Sequence, residues 1–196
     1  NCRYPCYARL QTEHYDPKFV WTKPIPVLNA PELAEREVRI QPPGRIMLCS
    51  MTDPYQEIEG QLLLARCVLK VLLNSKFHVL IITKSDMVIR DFDLIRDYPN
   101  VEVGLTITSL QDIPRWEPNA PGNTRRIPAL KIAHDMKIRT FASVEPWIPD
   151  VTEPKAIVEA LREFVDLFIF GSMQYTGVNR EFYRRQLPDL RKWLDE

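Results

Sequence analysis

The stretch FHVLIITKSDMVIRDFDLIRDY (77–98) decides how the whole chain is read. Its first eight residues form an almost unbroken apolar run, and from Asp86 onward apolar residues recur at three- and four-residue steps. The run is that of a strand buried in a sheet, and the later spacing is that of one helix face. The same rhythm recurs. RIMLCS (45–50), VEVGLTIT (101–108), RTFASVEP (139–146) and VDLFIFGS (165–172) are apolar stretches of strand length bounded by turn or charged residues. Helical patterns fill 58–74, 86–98, 123–137, 152–165 and 179–195, the fourth with Pro154 at a first-turn position. In 58–74, Leu62, Leu63 with Cys67, and Val71 fall near one face. Apolar strands each followed by a helix indicate an α/β fold with a parallel sheet covered by helices.

The preceding stretch differs. Prolines stand at 17, 24, 26, 31, 42 and 43, with the helical piece APELAEREV (30–38) among them, so 11–44 reads as an extended connector carrying one helix. No strand is found ahead of the first helix. The expected organisation is a single domain over 1–196, with a leading loop and Pro-rich connector in 1–44 and five βα units in 45–196.

Composition excludes several classes. Lys plus Arg and Asp plus Glu number 26 each, so no net charge draws the chain to nucleic acid or to an anionic membrane. The longest apolar stretch, Val79 to Ile82, is far too short to span a bilayer, which makes a cytoplasmic protein with no membrane partner the expectation. Cys2, Cys6, Cys49 and Cys67 are too few and too unevenly placed for a disulfide scaffold. Cys49 and Cys67 sit among apolar neighbours and read as small buried hydrophobes.

In a parallel α/β fold ligands gather at the carboxyl ends of the strands. Those ends are polar here: SMTDPYQEIE (50–59), TKSD (83–86), TITS (106–109), EPWIPD (145–150) and GSMQYTG (171–177). Thr108, Ser109 and Asp86 read as helix caps, and Asp53 with Pro54 as a turn. Lys84 ends a strongly apolar strand, where a fixed cation suits a ligand carboxylate or phosphate.

These segments together carry a resemblance. CRYPCYARL (2–10), MTDPYQEIE (51–59), IITKSDMVIRDFDLI (81–95), VGLTITS (103–109), WEPNAPGNTRRIPALKIAHDMKIRT (116–140), VEPWIPDVTE (144–153) and DLFIFGSMQYTG (166–177) resemble the radical S-adenosylmethionine (SAM) superfamily, in its spore photoproduct lyase-like, DNA repair photolyase-like branch. The likeness is collinear over nearly the whole chain. It implies a partial (β/α)6 TIM-like barrel, a [4Fe–4S] cluster on three cysteines of one loop, and SAM on the remaining iron position.

By that resemblance Cys2 and Cys6 match the second and third cluster cysteines, with Pro5 adding one residue between them. The first cysteine and first strand are then expected upstream of Asn1, which makes the chain read as an N-terminally truncated piece. If Cys2 and Cys6 were instead the first two ligands, a third thiol would be needed near position 9, where Arg9 stands. Thr52 and Asp53 match the residues that take the methionine amino group, Lys84 the lysine that pairs with its carboxylate, and Thr106 the residue that bonds the ribose. Val144 to Trp147 flank adenine through backbone groups, with Glu145 reaching the ligand. An electron donor such as flavodoxin or ferredoxin is the implied partner.

The resemblance leaves catalytic residues and substrate open. Spore photoproduct lyases place a hydrogen-donating cysteine two residues before the hydroxyl matched to Thr52, and Ser50 stands there instead. Tyr55, Trp116, Trp147 and Tyr175 offer surfaces on which a base would stack, and Arg125 and Arg126 offer phosphate contacts, which keeps nucleic acid among the candidates. Two classes remain: a radical SAM enzyme, or a cluster-free α/β binding module with affinity for SAM-like nucleosides. For the thiols themselves a zinc half-site and a terminal disulfide are the alternatives. A missing first strand also implies an unpaired edge on RIMLCS and a tendency to aggregate.

Overall fold

The computed structural model describes residues 6–18, 20–173 and 180–195. Two helices lead, α1 (Tyr7–Tyr15) and α2 (Ala30–Ile40), and α1 lies in the stretch expected to be cluster loop and connector. Then follow β1 (Arg45–Leu48), α3 (Glu59–Leu62), α4 (Leu64–Leu73), β2 (His78–Thr83), a 3₁₀ segment Asp86–Asp91, α5 (Phe92–Ile95), β3 (Val101–Thr106), α6 (Asn123–Asp135), β4 (Arg139–Trp147), α7 (Pro154–Leu161), β5 (Leu167–Ser172) and α8 (Arg180–Asp195). The five strands form one parallel sheet in chain order, β1-β2-β3-β4-β5, as the strand-helix rhythm required. The sheet is not closed into a barrel among the described residues. A partial TIM-like barrel is the architecture that fits it.

The core lies on one face of the sheet. Val79 and Ile81 of β2, Val103 and Leu105 of β3, and Ala142 and Val144 of β4 pack under Leu69, Leu72 and Leu73 of α4, Ala129, Leu130 and Ala133 of α6, and Ile157 and Leu161 of α7. Fully burying each such Val, Leu or Ile side chain contributes roughly 1.5–3 kcal/mol. The opposite face is only partly covered: along β2 buried residues alternate with half-buried ones.

Two helical expectations need correction. The pattern over 58–74 is broken at Leu63, whose φ of 54° is left-handed. There the Glu59 carboxylate accepts the backbone N–H groups of Ala65 and Arg66 at 3.0 and 3.4 Å, and so caps the start of α4. The face that α4 buries is Ala65, Leu69, Leu72 and Leu73, whereas Leu63 is 40% exposed. The pattern over 86–98 is a 3₁₀ segment running into a single α turn. Its cap is Ser85, which accepts the Met87 N–H, while Asp86 pairs with Arg125 at 2.8 Å.

Candidate functional site

Strand register fixes which side chains share the face opposite the main core, on which Thr106 is 5% and Ser143 1% exposed. Thr83 pairs with Leu105 and Thr106 with Ser143, so Lys84, one step beyond Thr83, is level with Thr106. Lys84, Thr106 and Ser143 therefore form one row across the carboxyl ends of three adjacent strands. Alternation sends their neighbours Thr83 and Val144 to the other face, where both are buried. The row beneath is apolar: Ile82, Gly104 and Phe141 pair side by side. The Phe141 ring lies across Gly104, so a Cβ there would stand 2.1 Å from a ring carbon. At the opposite strand ends Glu102 gathers His78 at 2.9 Å, Arg139 at 3.5 Å and Arg45 at 3.7 Å. In a barrel that lower end reads as stability, and the upper row is where ligands meet the fold.

The loop after β1 is held to the upper row by its own acids. Asp53 Oδ1 accepts the Thr83 hydroxyl at 2.6 Å and the Tyr55 N–H at 2.9 Å, and Oδ2 accepts the Lys84 N–H at 2.7 Å. Asp53 thus ties the loop to the end of β2, and the exposed hydroxyl beside it is that of Thr52. Tyr55 is a second anchor: it is 2% exposed, and its hydroxyl donates to Asp91 Oδ2 at 3.1 Å. Burial, then the Asp91 charge, raises its pKa, so the phenol stays protonated. It is not a base-stacking surface. Asp91, fully buried, pairs with Arg66 at 2.8 Å and Arg90 at 2.9 Å, and Arg90 reaches Glu59 at 2.9 Å. Burial pushes the Asp91 carboxyl up, yet the hydrogen bonds from Arg90 and Arg66 prevail and hold it below the usual range.

Lys84 also carries an ion pair that the sequence did not suggest. Its Nζ lies 2.5 Å from Glu117 Oε1, and Glu117 Oε2 lies 2.7 Å from Arg126 Nη2. Glu117 comes from the loop between β3 and α6, folded back so that its side chain is 3% exposed. Arg126 is completely buried and donates to the carbonyls of Pro121 at 2.7 Å and Thr106 at 3.0 Å. It is therefore no phosphate contact, and Arg125 is engaged by Asp86. Glu117 lies inside WEPNAP, but nothing in that block's spacing points to Lys84, 33 residues away.

The remaining expected site residues fall as follows. Val144 is 0% exposed in the core, so only its backbone faces the mouth. Glu145 is exposed, accepts the Ser143 hydroxyl at 3.0 Å and lies over Gly171. The β4–β5 ladder shifts register between Val144 and Trp147, a bulge that takes the Glu145 backbone out of regular pairing. Trp147 is 5% exposed in a second core cluster, and Trp116 packs against that cluster, so neither is an open stacking surface. Tyr175 and Cys2 lie outside the described residues. Cys6 is half-buried at the N-cap of α1, and the adjacent Tyr7 hydroxyl donates to the Ser50 carbonyl, which holds this helix start beside the carboxyl end of β1.

Cys49, just past β1, has a left-handed φ of 60° and retains exposed surface, unlike the buried hydrophobe expected. Its thiol is nonetheless pushed up, first by burial and then by Asp53 and Glu59. Cys67 is half-buried. Neither Thr108 nor Ser109 caps a helix: the Thr108 hydroxyl is buried and its carbonyl accepts the Thr152 hydroxyl at 2.7 Å, and Ser109 accepts the Gln111 N–H at 3.1 Å within the loop that precedes α6. Among the described residues no three His, Cys, Asp or Glu side chains converge as a metal site, and no helix is long and apolar enough to cross a membrane. The described thiols therefore do not by themselves fit a [4Fe–4S] cluster. The row at the strand ends, with a cation and hydroxyls, does suit a zwitterionic nucleoside.

This architecture is that of the radical SAM fold. It superposes on Streptococcus suis SuiB bound to S-adenosylmethionine with a TM-score of 0.60 at 13% identity, over 99% of this chain and 42% of that one. A spore photoproduct lyase variant with bound AdoMet and a dinucleoside spore photoproduct gives 0.57 at 17% identity, over 95% of this chain and 57% of that one. No family model matches the sequence. In sequence the chain is 33% identical over 186 residues to the uncharacterized protein MJ0683 of Methanocaldococcus jannaschii, covering 92% of this chain and 68% of that protein, and it belongs to the same family. Protein ORF301 of Acidianus two-tailed virus is 28% identical over 167 residues, 77% of this chain and 54% of that one.

Proposed function

We propose that this chain is the SAM-binding core of a radical SAM enzyme. The observation that carries the reading is the row of Lys84, Thr106 and Ser143 across the carboxyl ends of adjacent strands of this fold. In this reading the Lys84 ammonium takes the methionine carboxylate and the Thr52 hydroxyl takes its amino group. Thr106 bonds the ribose, and the bulged backbone from Val144 to Trp147 meets the adenine edge, with Glu145 beside it. Asp53, whose carboxylate already accepts three hydrogen bonds, positions the loop and does not itself bind the ammonium.

A [4Fe–4S] cluster on Cys2, Cys6 and a further thiolate would supply the electron, drawn from a flavodoxin- or ferredoxin-type donor, that opens the sulfonium to a 5'-deoxyadenosyl radical. The protein's share is to bind and orient the nucleoside and to keep water from it. The substrate is no part of this reading, because Tyr55, Trp147 and Arg126, which favoured nucleic acid, are packed into the fold.

The test has two stages. Calorimetric titration of the chain with SAM should show saturable binding that Lys84→Ala and Thr106→Val weaken. Anaerobic reconstitution, with iron and sulfide, of a chain extended upstream to supply the third cysteine should then give broad absorption near ~400 nm that Cys6→Ala abolishes, and 5'-deoxyadenosine under a low-potential reductant. Absence of SAM binding overturns the reading.

A further inference from the structure

We infer that Glu117 is an internal stand-in for the ligand carboxylate: it holds the Lys84 ammonium at the site, and a carboxylate-bearing ligand takes Lys84 by exchange while Glu117 stays on Arg126. This rests on the SAM reading of the site and adds a residue that sets how tightly carboxylate-bearing ligands bind.

The exchange follows from an asymmetry between two cations on one carboxylate. Arg126 has a side chain 0% exposed and is hydrogen-bonded to Pro121, Thr106 and Asn123, so it is fixed. Lys84 has a side chain 22% exposed, on a flexible four-carbon stem, and its backbone N–H donates to Asp53. Stripped of both cations, a carboxylate that is 3% exposed would be an uncompensated buried charge, which is strongly unfavourable. Kept on Arg126, it retains a buried counter-ion, and the incoming carboxylate replaces Glu117 at the ammonium. A ligand without a carboxylate does not compete with Glu117 for Lys84, so the pair weakens only those ligands that carry one.

The test compares SAM with 5'-methylthioadenosine, which keeps the nucleoside and thioether but lacks the carboxylate and amine. Glu117→Gln should bind SAM about tenfold more tightly than the unchanged chain, because the competing charge is gone, while 5'-methylthioadenosine changes less than about twofold. Since the variant leaves Arg126 beside a neutral amide, its melting is recorded alongside. A crystal structure of the unchanged chain with SAM gives the second readout: the Lys84 to Glu117 contact opened beyond ~4 Å with the Arg126 to Glu117 pair kept. A closed Lys84 to Glu117 contact in that complex, or equal or weaker SAM affinity in folded Glu117→Gln, overturns the inference and leaves the SAM site standing. If neither chain binds SAM, the proposed function falls and takes the inference with it.

Discussion

Asp53 and Thr83 meet at 2.6 Å, Oδ1 accepting from the hydroxyl, and this contact joins the loop after β1 to the carboxyl end of β2. Asp53→Ala leaves the Thr83 hydroxyl and the Lys84 N–H without that carboxylate. Losing charge-assisted bonds of this kind costs about 2–4 kcal/mol. A lower melting temperature is expected, with weaker SAM binding as the Thr52 loop loosens; an unchanged melt would show that the loop is held elsewhere.

The buried Asp91 makes stability sensitive to acid. Its carboxyl is held below the usual aspartate value of about 3.9, so at low pH the unfolded chain binds the proton more readily than the folded one. The stabilisation is therefore present above about pH 4 and lost as pH falls through the depressed folded value. Chemical denaturation followed from pH 6 to pH 3 should show the loss. Asp91→Asn should blunt that slope and be less stable by about 3–5 kcal/mol at neutral pH, because two arginines lose a shared counter-ion.

Gly104 exists to let Phe141 lie across the sheet. Gly104→Ala places a methyl against the ring and is expected to destabilise by about 1–3 kcal/mol, measured by denaturant midpoint. Adding Phe141→Leu should recover part of the loss; additive losses in the double variant would assign the defect to the backbone instead.

Removing the Lys84 ammonium acts on binding more than on folding, since Glu117 retains Arg126. Lys84→Gln should weaken SAM binding about 10- to 100-fold with little change in melting temperature. Equal affinity would remove Lys84 from the ligand's surroundings.

Among the described residues β1 lies at one edge of the sheet, and its Met47 is 48% exposed. Such an edge invites pairing between chains. The chain is expected to self-associate with rising concentration, and Met47→Lys should raise the monomer fraction in sedimentation velocity. A monodisperse unchanged chain at high concentration would refute this.

Most of the sheet was legible because buried parallel strands leave an unmistakable mark: all five expected strands are present, each within two or three residues of its predicted ends. Helices were less so. Leu63 looks like one more helical leucine, and only Glu59, itself held by Arg90, makes the break at that point favourable. Lys84 and Thr106 were visible as polar residues ending apolar strands. Tyr55, Trp147 and Arg126 looked like ligand contacts for the same reason, polarity near a strand end, and turned out to be packing.

The sequence alone determined the periodicities, and with them a parallel α/β sheet with its polar residues collected at one end. Tertiary structure alone decided what those residues face. Glu117 reaches Lys84 because the β3–α6 loop folds back over the strand ends, and Asp91 draws in Arg66, Arg90 and Tyr55 because the 3₁₀ segment packs against α3 and α4. The physical reason is range: hydrophobic spacing is a property of neighbours along the chain, whereas a buried charge takes its partner from whatever the fold brings within about 4 Å.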